Sequence, residues 1–261
     1  MSTQARTRTR ELRNARAAAE ERRKKRNRLI TAGGGMVIVL LLAAIVISLV
    51  NAAGNAEPQN DAAARGGTAA QGAAAAPANA TAGGALSVGN AAAPVKLEVY
   101  LDYMCPFCGR FEQANSAELE RLVADGTVRL ELYPLSFLDR MSSGTEYSTR
   151  AANAVATVAD QAPGKLLAFN AALFADQPAE GGQGLSDDEI AGLAREAGVP
   201  QEVVDTFTRR TFESWVASST TAVFATGISG TPTVKINGVT FEGDLYTAGP
   251  LTAAVTAVKG S

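Results

Sequence analysis

Three regimes of apolar and polar residues follow one another along the chain. The first is unbroken: no charged residue stands between Arg28 and Glu57, and the interval carries Met36-Val-Ile-Val-Leu-Leu-Leu-Ala-Ala-Ile-Val-Ile-Ser-Leu-Val50. With Leu29 to Gly35 ahead of it, this run provides about 20 predominantly apolar residues, enough to cross a ~30 Å hydrocarbon core as a helix. It predicts one transmembrane signal-anchor helix over 29–51. The second regime has no periodicity. Of the 34 residues from Ala52 to Ala85, 16 are Ala and 6 are Gly, and none is Val, Ile, Leu, Met or aromatic. Such a stretch has nothing to bury and reads as a linker over 52–86, spanning ~30 Å root-mean-square if it is a flexible coil.

The third regime, 87–261, alternates between two periods and predicts an α/β domain. Val95, Leu97, Val99 and Leu101 alternate with polar residues, as along a half-buried strand. Pro106 suits the first turn of a helix running to about Ala124, closed by Asp125-Gly126, and Val128 to Tyr133 gives a second strand. Helical signals then dominate from 134 to 230. Ser148 is placed to cap an Ala-rich helix to about Asp160, and Lys165 to Phe174 forms a short one. Ser186 with Glu189 is a capping box opening Asp187 to Ala197, stopped by Gly198. Pro200 opens a longer helix, with Val203, Val204, Phe207, Trp215 and Val223 at helical spacing until Gly227. Thr233 to Phe241 is a hairpin turning at Asn237-Gly238, and Pro250 to Val258 closes the chain as a helix.

Charge changes the picture at the N-terminus. The whole chain carries a formal net charge of −2, yet residues 1–28 hold 11 basic and 3 acidic residues, a net of +8. The remainder holds 13 basic and 23 acidic residues, a net of −10. The Arg22-Arg-Lys-Lys-Arg-Asn-Arg28 cluster abuts the apolar run, so the positive-inside rule predicts a cytoplasmic tail over 1–28 and an extracytoplasmic domain on a single-pass anchor in the cytoplasmic membrane. Beside an apolar span the tail reads as a topology signal in contact with the lipid bilayer, with no nucleic-acid partner. A cleaved signal peptide is the alternative, since Val50-Asn51-Ala52 resembles a small-residue cleavage site, but a basic region 28 residues long is unusual ahead of one.

Composition removes most chemistry. The absence of His excludes His-metal sites, Ser-His-Asp and Cys-His catalysis and imidazole pH switching. Two Cys exclude a disulfide-rich scaffold and a four-Cys zinc site. The two cysteines stand in Cys105-Pro106-Phe107-Cys108, directly after a strand and at a helix start. There, unpaired backbone N–H groups and the helix dipole stabilise a thiolate at the first position. The two-residue spacing lets the second sulfur resolve a mixed disulfide formed at the first. A purely structural disulfide is the alternative, although so small a loop stabilises little.

On these residues the chain resembles the DsbA-like thiol:disulfide oxidoreductases of the thioredoxin-fold superfamily, in their membrane-anchored bacterial form. The resemblance is carried by Val99-Tyr-Leu-Asp102-Tyr103-Met-Cys105-Pro106-Phe107-Cys108, Tyr133-Pro134-Leu135, Ala168-Phe-Asn-Ala-Ala-Leu-Phe174 and Gly227-Ile-Ser-Gly-Thr231-Pro232-Thr233. It implies a thioredoxin fold with an inserted helical subdomain over 134–230. It makes Cys105 the exposed nucleophile, Cys108 the buried resolving cysteine, Pro106 and Phe107 the intervening motif, and Pro232 a cis-proline with Thr231 lining the substrate groove. The physics of such a proline is independent of the family: X-Pro is the bond for which cis costs under about 1 kcal/mol. The implied partners are exported unfolded or partly folded proteins and a membrane-embedded redox partner, with no cofactor beyond the cysteine pair.

Two departures stand out. Many relatives carry an acidic residue six positions before the first Cys, where this chain has Val99, and the adjacent Glu98 falls on the opposite face of the strand. No proton acceptor for Cys108 is therefore assigned. Strongly oxidising relatives carry His where this chain has Phe107, which removes a positive charge and predicts a more moderate oxidant. Tyr103 and Phe107 are candidates for an apolar platform under unfolded substrate, and Phe111 and Trp215 for the core. A reductase or isomerase of the same fold, and a non-catalytic tethered chaperone, are the competing functions.

Overall fold

Side chains alternate across an extended chain, and Val95, Leu97, Val99 and Leu101 accordingly share one buried face of the second strand in the computed structural model. The structure describes residues 75–259. The basic tail, the proposed anchor and the linker up to residue 74 lie outside the described residues, among which no helix is long and apolar enough to cross a membrane.

Five strands form one mixed sheet in the order β1-β3-β2-β4-β5. These are β1 (Leu86–Val88), β2 (Val95–Leu101), β3 (Val128–Pro134), β4 (Thr233–Ile236) and β5 (Val239–Thr240). β2 and β3 run parallel, joined by the crossover helix α1 (Pro106–Ala124), and the other pairings are antiparallel. β4 and β5 turn at Asn237 (φ 50°) and Gly238 (φ 85°), the left-handed pair that a two-residue hairpin requires. Leu97, Val99, Leu130 and Leu132 join a core with Phe111, Leu119 and Leu122 of α1 and with Leu251 and Val255 of the closing helix, Pro250–Lys259. A smaller cluster takes Tyr100 and Tyr133, stacked with ring centroids 4.1 Å apart, together with Ala85, Val223 and Ile228.

Between β3 and β4 lie α2 (Tyr147–Gln161), α3 (Leu166–Ala175), α4 (Asp187–Glu196), α5 (Gln201–Val204) and α6 (Glu213–Ala225); the closing helix is α7. The run from Ala151 to Ala159 in α2 is buried throughout, and its small side chains let the surrounding helices approach closely. The capping box at the start of α4 forms both of its bonds, Glu189 N–H to Ser186 Oγ and Ser186 N–H to the Glu189 carboxylate.

Three local expectations are corrected. Ser148 does not cap α2: the helix starts one residue earlier, and the Ser148 hydroxyl donates to Asp102 Oδ1 at 2.6 Å. The long helix expected from Pro200 to Gly227 is broken into α5, a 3-10 turn at Phe207–Arg209 and α6. Asn153 of α2 takes backbone groups from both sides of the break, donating to Phe207 O (3.2 Å) and accepting from Phe212 N–H (2.9 Å). Arg210, at φ 55°, closes the first piece and reaches Asp187 and Glu213. Tertiary hydrogen bonds thus override a helical period. Finally, the last residues read as linker pack on the domain. Ala78 N–H donates to Asp160 Oδ1 at 2.8 Å, Ala85 is fully buried, and a Cβ on Gly84 would stand 2.5 Å from Ser219 Oγ. The small residues that made this stretch look structureless are what allow its close approach.

Candidate active site

The site is assembled where β2 and β4 end side by side. The antiparallel register pairs Tyr100 with Thr233, so the residues preceding Thr233 stand beside the turn that follows Leu101. The Thr231–Pro232 peptide at that point is cis. Asp102 organises the turn. Its Oδ1 accepts from Met104 N–H (2.9 Å) and the Ser148 hydroxyl, its Oδ2 from Leu138 N–H (2.9 Å), and its carbonyl from Cys105 N–H (3.0 Å). Cys105 is the N-cap of α1, with Pro106 in the first turn where no N–H is needed. The Cys105 thiol donates to Thr231 O at 3.3 Å.

A second clamp comes from the inserted helices. Gln177, just past α3, donates from Nε2 to Tyr103 O (3.0 Å) and to Cys105 O (2.8 Å). Its Oε1 lies so close to Gly109 that a Cβ there would stand 2.3 Å away. A side chain at position 109 would push the Gln177 amide aside, and with it the donor that holds the loop.

The two sulfurs sit in different environments. Cys108 is fully buried, and burial followed by its contact with Cys105 pushes its thiol well above the ordinary range. Cys105 is pulled down to about 6 by the hydrogen bond from Cys108, assisted by the Thr231 side chain and the Cys108 and Phe107 backbone, against the cost of its own burial. No side-chain cation appears among these causes. The expectation of an exposed Cys105 needs correcting too, because only 5% of its surface is open. At neutral pH the pair holds a thiolate at Cys105 and a protonated thiol at Cys108, the arrangement that nucleophilic attack and resolution need.

Tyr103 is not a substrate platform. It is fully buried, stacks on Phe174 with centroids 5.0 Å apart and donates its hydroxyl to Asn170 Oδ1 at 2.8 Å. Asn170 in turn donates to Glu112 Oε1 at 2.8 Å. Burial pushes the Glu112 carboxyl up to about 7 and the Asp102 carboxyl up to about 6, in the latter case against its hydrogen bonds from Ser148, Met104 and Leu138. Phe107, by contrast, is 49% exposed. Val99 is buried in the core, and Glu98 lies on the other sheet face 3.3 Å from Lys96 Nζ, away from the cysteines.

Cys105, Pro106, Phe107, Cys108, Thr231 and Pro232 are thus brought to one place by the sheet register. Sequence reasoning missed Asp102, Gln177 and the Glu112–Asn170–Tyr103 chain. Only Asp102 left a signal, a short acidic residue at a strand end immediately before a tight turn. The partners of Gln177 and Glu112 lie 58 to 74 positions away along the chain, beyond the reach of local pattern.

Residues 81–253 match the family model described as Thioredoxin. Among solved structures, the chain superimposes on a disulfide bond oxidoreductase (DsbG) from Mycobacterium tuberculosis with a TM-score of 0.60 and 30% identity, covering 70% of this chain and 90% of that one. It superimposes on oxidised DsbA from the same organism with a TM-score of 0.59 and 30% identity, over 68% and 93%. MdbA, a thiol-disulfide oxidoreductase from Actinomyces oris, gives a TM-score of 0.58 at 26% identity, over 71% and 89%. The serine/threonine-protein kinase PknE of Mycobacterium tuberculosis is 35% identical over 158 residues, 56% of this chain, which spans only 27% of that relative's length.

Proposed function

From the premise that this chain belongs to the thioredoxin family, among its DsbA-like members, we propose that it is an extracytoplasmic thiol:disulfide oxidoreductase whose Cys105–Cys108 pair passes disulfides to exported proteins. One observation carries the reading: Cys105, at a helix N-terminus and against Thr231–Pro232, has a thiol lowered to about 6, while the thiol of Cys108 is buried and raised.

In the oxidising direction a substrate thiolate attacks Cys105 Sγ of the pair's disulfide. The S–S bond breaks, and Cys108 leaves and takes up a proton. A second substrate thiol loses its proton to solvent and attacks the substrate sulfur of the mixed disulfide, and Cys105 leaves as the stabilised thiolate. Two substrate thiols become one disulfide, and two electrons reduce the pair. Ready departure of Cys105 favours this direction, because a low-pKa thiol leaves faster. The basic tail ahead of an apolar run supports a membrane tether, with a membrane-embedded redox partner to reoxidise the pair.

The test is oxidation of reduced, unfolded ribonuclease by the oxidised full-length protein in detergent, together with its potential in glutathione buffers. The expected result is disulfide formation that Cys105→Ser abolishes, with a potential between thioredoxin's, about −270 mV, and that of the strongest oxidants, about −120 mV. A potential as low as thioredoxin's turns the assignment to a reductase. Activity against protein aggregation that survives Cys105→Ser, without any exchange, turns it to a chaperone. In cells, thiol trapping should find the pair mostly oxidised.

A further inference from the structure

Beside the cysteine pair stands a cation that the exchange chemistry above does not use. The Arg110 guanidinium carbon lies 4.6 Å from the centroid of the Phe107 ring and 4.5 Å from that of Tyr246, and the two rings are 6.1 Å apart. Phe107 and Tyr246 are 49% and 42% exposed, so the cluster forms part of the surface around the cysteines. Among the described residues no carboxylate pairs with Arg110. This is not the by-product of a basic surface, since the chain beyond residue 28 carries a net charge of −10.

The clamp is also built in advance. Tyr246 lies on the loop between β5 and α7, and Asn115, buried on α1, donates to Leu245 O at 2.9 Å and so ties that loop to the active-site helix. The Tyr246 N–H donates to Asp244 Oδ1 at 2.7 Å. Both rings hold the guanidinium by cation–π attraction, with little ordering left to be done when a ligand arrives. Arg110 also lines a groove of about 660 Å³ that begins at Pro106 and is walled by Phe174 and Gln177. Of the residues lining that groove only Arg110 and Glu112 are ionisable, and Glu112 is engaged by Asn170 and held toward its neutral form.

We infer that Arg110, packed against Phe107 and Tyr246, is a specificity-determining residue that favours substrate segments carrying a carboxylate next to the reacting cysteine. This rests on the thiol-exchange reading above and names a substrate class within it. A guanidinium receives a carboxylate through two parallel N–H bonds. The exposed rings offer apolar area to the neighbouring side chains, as aromatic residues at recognition surfaces commonly do.

The test uses the full-length oxidised protein and three dithiol peptides identical except for Glu, Gln or Lys before each cysteine, with oxidation rates measured at low salt. The intrinsic reactivity of each peptide thiol cancels when wild type is compared with a variant. The Glu-to-Lys rate ratio should be about threefold or more higher in wild type than in Arg110→Gln, the scale of one or two half-exposed ion pairs. It should invert in Arg110→Glu, fall in Tyr246→Ala, and collapse in wild type at 0.5 M salt, where exposed charges are screened beyond about 4 Å. Equal ratios in wild type and Arg110→Gln, with all three peptides oxidised, overturn the selectivity and leave the exchange reading standing. Oxidation of none of the peptides overturns both.

Discussion

At the scale of single residues, the chemistry depends on an asymmetry between two sulfurs three positions apart. The leading cause of the low Cys105 thiol is the hydrogen bond from Cys108, ahead of any contribution from the backbone. Cys108→Ala should therefore move the midpoint of Cys105 alkylation by iodoacetamide from about 6 toward the free-thiol range, ~8.5. A midpoint that stays near 6 would assign the stabilisation to the helix terminus instead. Buried acids add a second signature. A carboxyl whose folded-state pKa lies above its unfolded value stabilises the fold below the unfolded pKa, and that contribution is lost as pH rises through the folded one. Glu112, raised to about 7, should cost the protein stability between roughly pH 4.5 and 7. Glu112→Gln keeps an acceptor for Asn170 and should be the more stable protein at pH 8 in urea denaturation. The slope that persists then belongs to Asp102 and ends near pH 6. A variant that tracks wild type from pH 5 to 8 would show that Glu112 ionises freely in the fold.

At the scale of elements, the inserted helices do more than flank the site. Gln177 fastens the segment after α3 to the carbonyls of Tyr103 and Cys105, and Gly109 is the gap in α1 through which it reaches them. In an open helix Gly→Ala gains about 1 kcal/mol. Here Gly109→Ala should reverse that sign, because the new methyl collides with Gln177 and takes its donor from the Tyr103 carbonyl and one of three from the Cys105 carbonyl, each hydrogen bond being worth ~1 kcal/mol. Gln177→Ala alone should also destabilise, and the double variant should be more stable than the sum of the single changes implies, a coupling that a double-mutant cycle in urea measures. Additive losses would mean that Gly109 is required for another reason. The same elements show what pattern alone conveys. The alternation along β2, the proline opening α1, the capping box of α4 and the Asn237-Gly238 turn are set by neighbours in sequence, and each was legible. The break between α5 and α6 was not, because Asn153, more than fifty positions away, holds it open. Likewise Ser148 looked like a cap, yet its hydroxyl completes the shell of Asp102, an element away. The cysteine pair was readable as a motif, and its meeting with Pro232 was implied by the family resemblance. The groups that hold them in place belong to long-range packing.

At the scale of the whole molecule, the near-neutral total conceals a division of charge along the chain, +8 in the first 28 residues and −10 beyond. The domain that carries the cysteines is therefore acidic, and the low thiol of Cys105 is achieved by local hydrogen bonds against that background rather than by a positive field. This has a consequence for the stability of the entire fold in its two redox states. A thiol whose folded pKa lies below its unfolded value stabilises the fold above the unfolded pKa, and the contribution is lost as pH falls through the folded one. For Cys105 the window opens near pH 6 and closes at the unfolded thiol pKa, ~8.5. Only the reduced protein has this thiol, so only the reduced protein gains across the window. The chain-entropy effect of the disulfide in the oxidised protein does not vary with pH, and the buried carboxyls titrate in both forms and so largely cancel in the difference. Calorimetry on reduced and oxidised full-length protein at pH 5, 6, 7 and 8 should therefore find the Tm of the reduced form rising relative to the oxidised form from pH 6 upward, with little change in the gap between pH 5 and 6. A widening gap also means that giving up the disulfide to ordinary thiols becomes more favourable as pH rises, so the potential measured relative to glutathione at the same pH should climb over the same interval, about 30 mV for each tenfold change in the exchange constant. A gap independent of pH would place the Cys105 thiol in the ordinary range and remove the driving force for donating the disulfide.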